Sequence, residues 1–217
     1  MSLICSCPLG TSLGYLDNVT CPENFGQIQK VAFQRLKQAD GTPNAFTTSN
    51  SILLLASWTA LLSAANGTKV LVSPYIKSPA DSGGDARMTS GGNDDLGGIP
   101  EVIGGEPVQF TGSLRAIPQA TIAQLKTLQC EANAGNLGVY LFDENGKIEA
   151  LLDGVGTYKP IPIRALFVGS KIHGNFDAKD SNVISWYYPD NYSDKLRILT
   201  PTDFSPLADL LNDTPGA

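Results

Sequence analysis

The sequence predicts an α+β protein: a mostly antiparallel sheet, sandwich-like or barrel-like, with two flanking helices and one long glycine-rich loop. Three observations carry that prediction. Two stretches repeat apolar residues at helical spacing, a series of short segments is bounded by Gly, Asn, Asp and Pro, and residues 78–105 hold four glycine pairs with few large apolar side chains. The simplest partition is a single domain over 1–217, with an N-terminal arm at 1–20 and the glycine-rich insertion at 78–105.

Residues 1–20 scatter Pro8, Gly10 and Gly14 among apolar residues and predict an irregular arm or a short edge strand. The run from Gln27 to Leu36 fits both periods. Ile28, Val31 and Ala32 suit a helix face, while alternate residues also separate as they would on a strand. The turn-forming Asp40-Gly41-Thr42-Pro43 favours the strand.

From Ser49 to Ala65 the spacing predicts a helix. Ser49 or Asn50 offers a capping oxygen, Leu53, Leu54, Trp58, Leu61 and Leu62 share one face, and Asn66-Gly67 provides a stop. A short strand at Lys69 to Ser73 leads into the glycine-rich stretch, and extended structure resumes at Val108 to Phe110. Pro118 opens a second helix that runs to Ala134, with Ile122, Leu125, Leu128 and Ala132 on one stripe and Gly135 closing it.

Asn145-Gly146 predicts a type I′ turn joining strands at Leu137 to Phe142 and Lys147 to Leu152. Further strands are expected at Ile163 to Val168, Val183 to Tyr188 and Leu196 to Thr200. Asp203 to Leu211 reads as a short capped helix.

The formal net charge of −6 argues against a ligand gripped through nucleic-acid phosphates. No stretch approaches the roughly 20 apolar residues of a membrane helix, and the N-terminus lacks the pattern of a secretory signal, so folding in a cytosol is expected. The Asn-X-Ser/Thr matches at Asn18, Asn66 and Asn191 are then chance occurrences. Cys5, Cys7, Cys21 and Cys130 have no zinc-site spacing, and reduced thiols are expected, with no cofactor and no metal.

Catalytic patterns are weak. His173 lies near Asp177 and Asp180 in sequence, but no nucleophile elbow accompanies it, and a surface histidine is the plainer reading. Asp177, Asp180 and Asn182 suggest a calcium cluster or Asx turns, and Asp143-x-Asn145-Gly146 only partly imitates a calcium loop. Trp186, Tyr187, Tyr188 and Tyr192 suggest a sugar or partner platform, but alternation favours core packing with a partly exposed edge. Phosphate-binding glycine motifs are absent, because the glycine pairs precede neither Lys-Ser/Thr nor an immediate helix. No enzyme is predicted.

The glycine-rich stretch itself is the candidate site. Glycine loses the most backbone freedom on ordering, so this segment is expected to order against another surface instead of folding by itself. The candidate interface residues are Gly83, Gly84, Asp85, Arg87, Gly91, Gly92, Asn93, Asp94, Asp95, Gly97 and Gly98. The adjacent pair Asp94-Asp95 suits solvation or intersubunit ion pairs better than catalysis.

Diffuse features give the chain a family resemblance. They are Cys21-Pro22-Glu23-Asn24-Phe25-Gly26-Gln27-Ile28-Gln29-Lys30, Ala56-Ser57-Trp58, Gly91-Gly92-Asn93-Asp94, Phe167-Val168-Gly169-Ser170-Lys171 and Thr200-Pro201-Thr202-Asp203-Phe204. On these the chain resembles virion structural proteins of tailed bacteriophages, most closely the tail-tube or major tail protein.

The resemblance implies a small sheet domain copied around a hexameric ring, its strands joining neighbouring copies into a continuous barrel and its loop and termini locking successive rings. It implies copies of the chain and neighbouring virion proteins as partners, no membrane, and DNA only as passing cargo, with the protein in the virion after assembly in host cytoplasm. Two helices and 217 residues exceed what a minimal tube protein needs, so a capsid-associated or connector protein is an alternative, as is a carbohydrate-binding adhesive module.

Overall fold

The computed structural model describes Tyr15, Asn18, Val19 and residues 23–212, and the side chain of Asp94 is outside that description. Most of the expected N-terminal arm therefore lies outside the described residues. The chain divides into two units, one comprising Met1–Asn24 with Asp85–Glu106 and the other Phe25–Gly84 with Pro107–Ala217.

The larger unit holds a ten-stranded antiparallel sheet and two helices. In chain order these are β1 (Ile28–Arg35), α1 (Leu55–Leu62), β2 (Val70–Val72) and β3 (Ile76–Ser82). After the smaller unit's β4 (Ala86–Met88) and β5 (Val102–Gly105) come β6 (Gln109–Arg115), α2 (Gln119–Ala134) and β7 (Leu137–Asp143). The rest are β8 (Ile148–Leu152), β9 (Tyr158–Lys159), β10 (Ile161–Val168), β11 (Ser181–Tyr187) and β12 (Leu196–Leu199). The α+β, mostly antiparallel prediction holds. The sheet is open instead of a closed barrel, because its path runs from β12 to β3 without those ends pairing.

One strand turns the sheet over on itself. The first half of β10 pairs with β7, from Ile161 opposite Val139 to Ile163 opposite Leu137. Its second half pairs with β11, after a register shift between Arg164 and Phe167 that contains Ala165 at φ 49°. A bulge of this kind sharpens the local twist and re-aims the strand, so β10 serves both halves of the sheet.

The ambiguous run at 27–36 is strand β1, and its mixed periodicity has a physical cause. Val31 and Phe33 enter one core with Leu137, Val139 and Leu141 of β7 and with Trp186, Phe110 and Ile122. Ala32 enters a second core with Tyr140 and Phe142 of β7 and with Phe46, Trp58 and Leu62. A strand buried on both faces loses the clean polar and apolar alternation of a half-exposed one. Even its polar residues are engaged, since Gln34 Nε2 donates to Thr68 O at 2.8 Å and its Oε1 accepts from Tyr140 OH at 3.0 Å.

Helix α2 matches its prediction, with Gly135 in the left-handed conformation at φ 74° just past its end. Helix α1 is shorter than the spacing predicted. It begins at Leu55, and residues before it form turns in which Asn50 N–H donates to Thr47 O and Leu54 N–H to Ser51 O. Its buried face centres on Trp58, whose Nε1 donates to Ile52 O at 2.8 Å while its rings meet Phe46 at 4.7 Å and Tyr140 at 5.2 Å.

The β7–β8 hairpin forms as expected but through a different turn. Gly146 has φ 76° while Asn145 is not among the residues with positive φ, and Gly146 N–H donates to Asp143 O at 3.1 Å. A type I turn followed by a left-handed glycine replaces the predicted type I′. The buried Asp143 carboxylate favours it, accepting from Asn145 N–H at 2.9 Å, Lys147 N–H at 2.7 Å and Gly26 N–H at 3.1 Å. Residues 203–211 make a single turn, not a helix, with Ala208 and Asp209 N–H both donating to Ser205 O.

Candidate interaction hairpin

The stretch expected to lack structure of its own is corrected on two counts. Strand β3 occupies its first residues to Ser82, and β4 and β5 pair antiparallel with each other farther along. The register sets Ala86 opposite Gly105, Arg87 opposite Gly104 and Met88 opposite Val102. The ladder continues at both ends, with Glu106 N–H donating to Asp85 O at 2.8 Å and Thr89 N–H to Glu101 O at 2.9 Å. Backbone pairing across the segment satisfies groups that an extended loop would leave to water.

Two 3₁₀ turns, at Gly92–Asp94 and Leu96–Gly98, form the tip. Asp95 ties them together. Its N–H donates to Gly92 O, its carbonyl accepts from Gly98 N–H at 3.0 Å, and its carboxylate accepts from Thr89 Oγ1 at 2.6 Å. Thr89 Oγ1 in turn accepts from Glu101 N–H at 2.8 Å. Within the chain, the Asp95 carboxylate thus has a hydrogen-bond partner in Thr89.

The sequence-predicted residues divide by position. Gly83 and Gly84 belong to the larger unit, where Gly83 has φ 92° and a side chain there would strike Pro107 O at 2.6 Å. Asp85 and Arg87 stand in the ladder, Gly91, Gly92, Asn93 and Asp94 on or beside the first turn, and Asp95, Gly97 and Gly98 on or beside the second. Gly97 and Gly98 both have φ 73°, and a side chain would meet nothing at Gly97 and only Gly92 O at 3.8 Å at Gly98, so the backbone conformation is what calls for glycine there.

The reading from glycines and charges missed the apolar residues of this hairpin. Leu96 is 94% exposed, Ile99 70%, Val102 64%, Met88 52% and Ile103 49%. Ile99-Pro100-Glu101-Val102-Ile103, an apolar run inside an otherwise polar insertion, was the available signal. Isolated two-stranded hairpins are marginal in water, and large exposed apolar side chains are what binding surfaces present.

The other candidates resolve differently. His173 is 84% exposed with Nδ1 at 3.6 Å from Asp180, which also lies at 3.6 Å from Lys171 Nζ. Asp180 accepts from Gly174 N–H, and that hydrogen bond first, then its neighbours His173 and Lys171, hold its carboxyl below the usual range. Asn182 is buried and its Nδ2 donates to Gly169 O at 3.0 Å. Among the described residues no group of three or more His, Cys, Asp or Glu is placed to hold a metal. Trp186 and Tyr188 are buried, with Trp186 stacked on Phe110 at 4.0 Å and Tyr188 on Tyr192 at 4.4 Å. The exposed aromatic platform is therefore not formed. Cys130 is a free, exposed thiol on α2. No described helix is long and apolar enough to cross a membrane.

One acidic group stands apart. Glu149 of β8 has its carboxyl pushed up to about 7, first by burial and then by the negative charges of Asp81 and Asp143.

No protein-family model matches this sequence, and no curated protein does. Solved structures with loose similarity include the following three. A chain of the tail of an empty GTA particle, determined with C6 helical symmetry, shares 9% identity at a TM-score of 0.30 over 60% of this chain and 88% of its own. A chain of the native gene transfer agent virion shares 11% at 0.31, over 58% and 85%. A chain of the six-fold symmetrised anti-feeding prophage baseplate shares 9% at 0.34, over 83% and 97%. They come from a particle tail, a virion and a baseplate, and the TM-scores are too low to carry a role from them to this chain.

Proposed function

We propose that this chain is a non-enzymatic, self-assembling virion structural protein of the tail-tube type, its copies stacked in rings around passing DNA. The observation that carries the reading is the β4–β5 hairpin, which pairs with itself yet presents Leu96, Ile99, Val102, Met88 and Ile103 to solvent. Such side chains gain about 25 cal/mol for each Å² they bury, and burial against other copies supplies that gain. The open sheet adds strand edges on which neighbouring copies can pair, and contacts between different surfaces of identical chains close into rings or continue as a helix. The resemblance in sequence supplies the tail-tube assignment.

The test is the assembly state of the purified protein. Light scattering over a concentration series, with negative-stain images, is expected to show rings or tubes that disappear in the double variant Leu96→Asp, Ile99→Asp. A monomer at every concentration sinks the reading.

A further inference from the structure

The larger unit carries a groove whose chemistry complements the hairpin. It has a volume of about 470 Å³ and lies between β2, the start of β3, the first turns of α2 and residues 210–212. Leu71, Tyr75, Ile117, Leu125, Leu128 and Leu211 give it apolar walls. Tyr75 and Leu211 are exposed there although both are large and apolar.

Its rim is basic. Lys77 and Arg115 line the groove, are exposed, and form no ion pair with a described residue. Lys30 is the third cation, but it is buried and committed, with Nζ donating to Leu207 O at 2.7 Å and lying 4.5 Å from the Tyr75 ring centre. Among the described residues no carboxylate lines the groove. The bare positive rim above an apolar floor calls for an occupant that is apolar and acidic together.

The hairpin at 85–106 has that composition. It carries Asp85, Asp94, Asp95, Glu101 and Glu106 against the single cation Arg87, a net charge of −4. Its exposed Ile99, Val102 and Ile103 flank Glu101 in sequence, so one short run offers apolar side chains and a carboxylate side by side. Charge complementarity of this kind fixes register and orientation, while the buried apolar anchors hold the complex.

We infer that the β4–β5 hairpin of one copy docks in this groove of a second copy, with Ile99, Val102 and Ile103 against the apolar walls and Glu101 facing Lys77 and Arg115. The two surfaces differ, so the contact is heterologous and propagates from copy to copy. This inference rests on the assembly reading and adds to it the receiving surface.

A benzophenone amino acid in place of Leu96, activated by light in the assembled protein, reads the contact directly. The expected product has twice the chain mass, and its cross-linked peptide falls within 71–77, 115–128 or 210–212. A charge-reversed variant, Lys77→Glu with Arg115→Glu, is expected to raise the protein concentration needed for assembly at least tenfold, and Glu101→Lys in that background to recover part of the loss. If the wild-type protein assembles but the cross-link maps to another face, or joins residues within one chain, the groove assignment is overturned and the assembly reading stands. Unchanged assembly by the charge-reversed variant overturns it equally. A wild-type protein that stays monomeric overturns both.

Discussion

The backbone N–H of Leu55 donates to Asp203 Oδ1 at 3.1 Å, so the first turn of α1 is capped by a residue 148 positions farther along the chain. The neighbouring Thr202 strengthens the link, its N–H and Oγ1 both reaching Leu53 O at 3.3 Å. A carboxylate at a helix start satisfies an orphan donor and faces the positive end of the helix dipole. Asp203→Ala is expected to cost about 1 kcal/mol in urea unfolding, and Asp203→Asn to recover much of it. Equal losses from both variants would show that the carboxylate acts by other means.

Trp58 joins α1 to the sheet through Phe46, Tyr140 and Phe142 and through its bond to Ile52 O. Truncation to alanine opens a cavity in the second core, so Trp58→Ala is expected to cost about 3–5 kcal/mol, enough to threaten folding. Trp58→Phe keeps ring contacts but leaves the Ile52 carbonyl short of a donor, for an expected loss of about 1–3 kcal/mol. Denaturant melts of the two variants order these effects.

Gly135 ends α2 in the left-handed conformation, at φ 74°, and a side chain there would run into the Arg164 guanidinium. The guanidinium can swing aside, whereas the backbone conformation cannot be relieved. Gly135→Ala is therefore expected to destabilise by about 1 kcal/mol, and Gly135→Asn by less, because Asn tolerates this region. Thermal unfolding distinguishes them.

Stability should fall as pH rises through the range set by Glu149. Its carboxyl is raised to about 7 in the folded chain from an ordinary value of 4.5, so the folded state holds the proton more tightly than the unfolded one. That contribution is fully present below the unfolded value, declines as pH rises above it, and is gone once pH passes the folded value. Glu149→Gln is expected to stabilise the protein by on the order of 1–2 kcal/mol at pH 8, with solvent screening allowed for, and to have little effect near pH 4. An equal shift in melting temperature at both pH values would refute the assignment.

Removing the hairpin should leave the larger unit folded. Gly83 lies against Pro107, so the ends that remain after deletion of Asp85–Glu106 are already close. The shortened protein is expected to keep its circular dichroism and melting temperature within a few degrees while losing assembly. Loss of native structure instead would mean that 85–106 supports the sheet and is not chiefly a contact surface.

Much of the fold was readable because its signals are local. Pro118, the stripe of Ile122, Leu125 and Ala132, and Gly135 define α2 within one continuous segment. The β7–β8 hairpin was legible for the same reason, although its turn type depended on the Asp143 carboxylate, whose acceptance of Gly26 N–H reaches across the fold. For the candidate site, the sequence reading took up the glycines and charges and left the exposed apolar residues Leu96, Ile99 and Val102 unread. The run Ile99-Pro100-Glu101-Val102-Ile103 was visible in the sequence, but its exposure depends on what does not pack against it, which the run alone does not record.

Local periodicity and turn chemistry, then, determined the class of the protein, most of the strands of the larger unit and the second helix. Tertiary structure alone decided the length of α1, because its cap comes from Asp203. It alone decided that Trp186 and Tyr188 are core and not a platform, because the other half of the sheet covers them. It decided as well that residues 85–106 pair with each other, since the hydrogen bonds between β4 and β5 join backbone that the intervening tip separates in the chain. In each case the deciding partner is distant in sequence, and its influence arises only once the chain has closed the intervening loop.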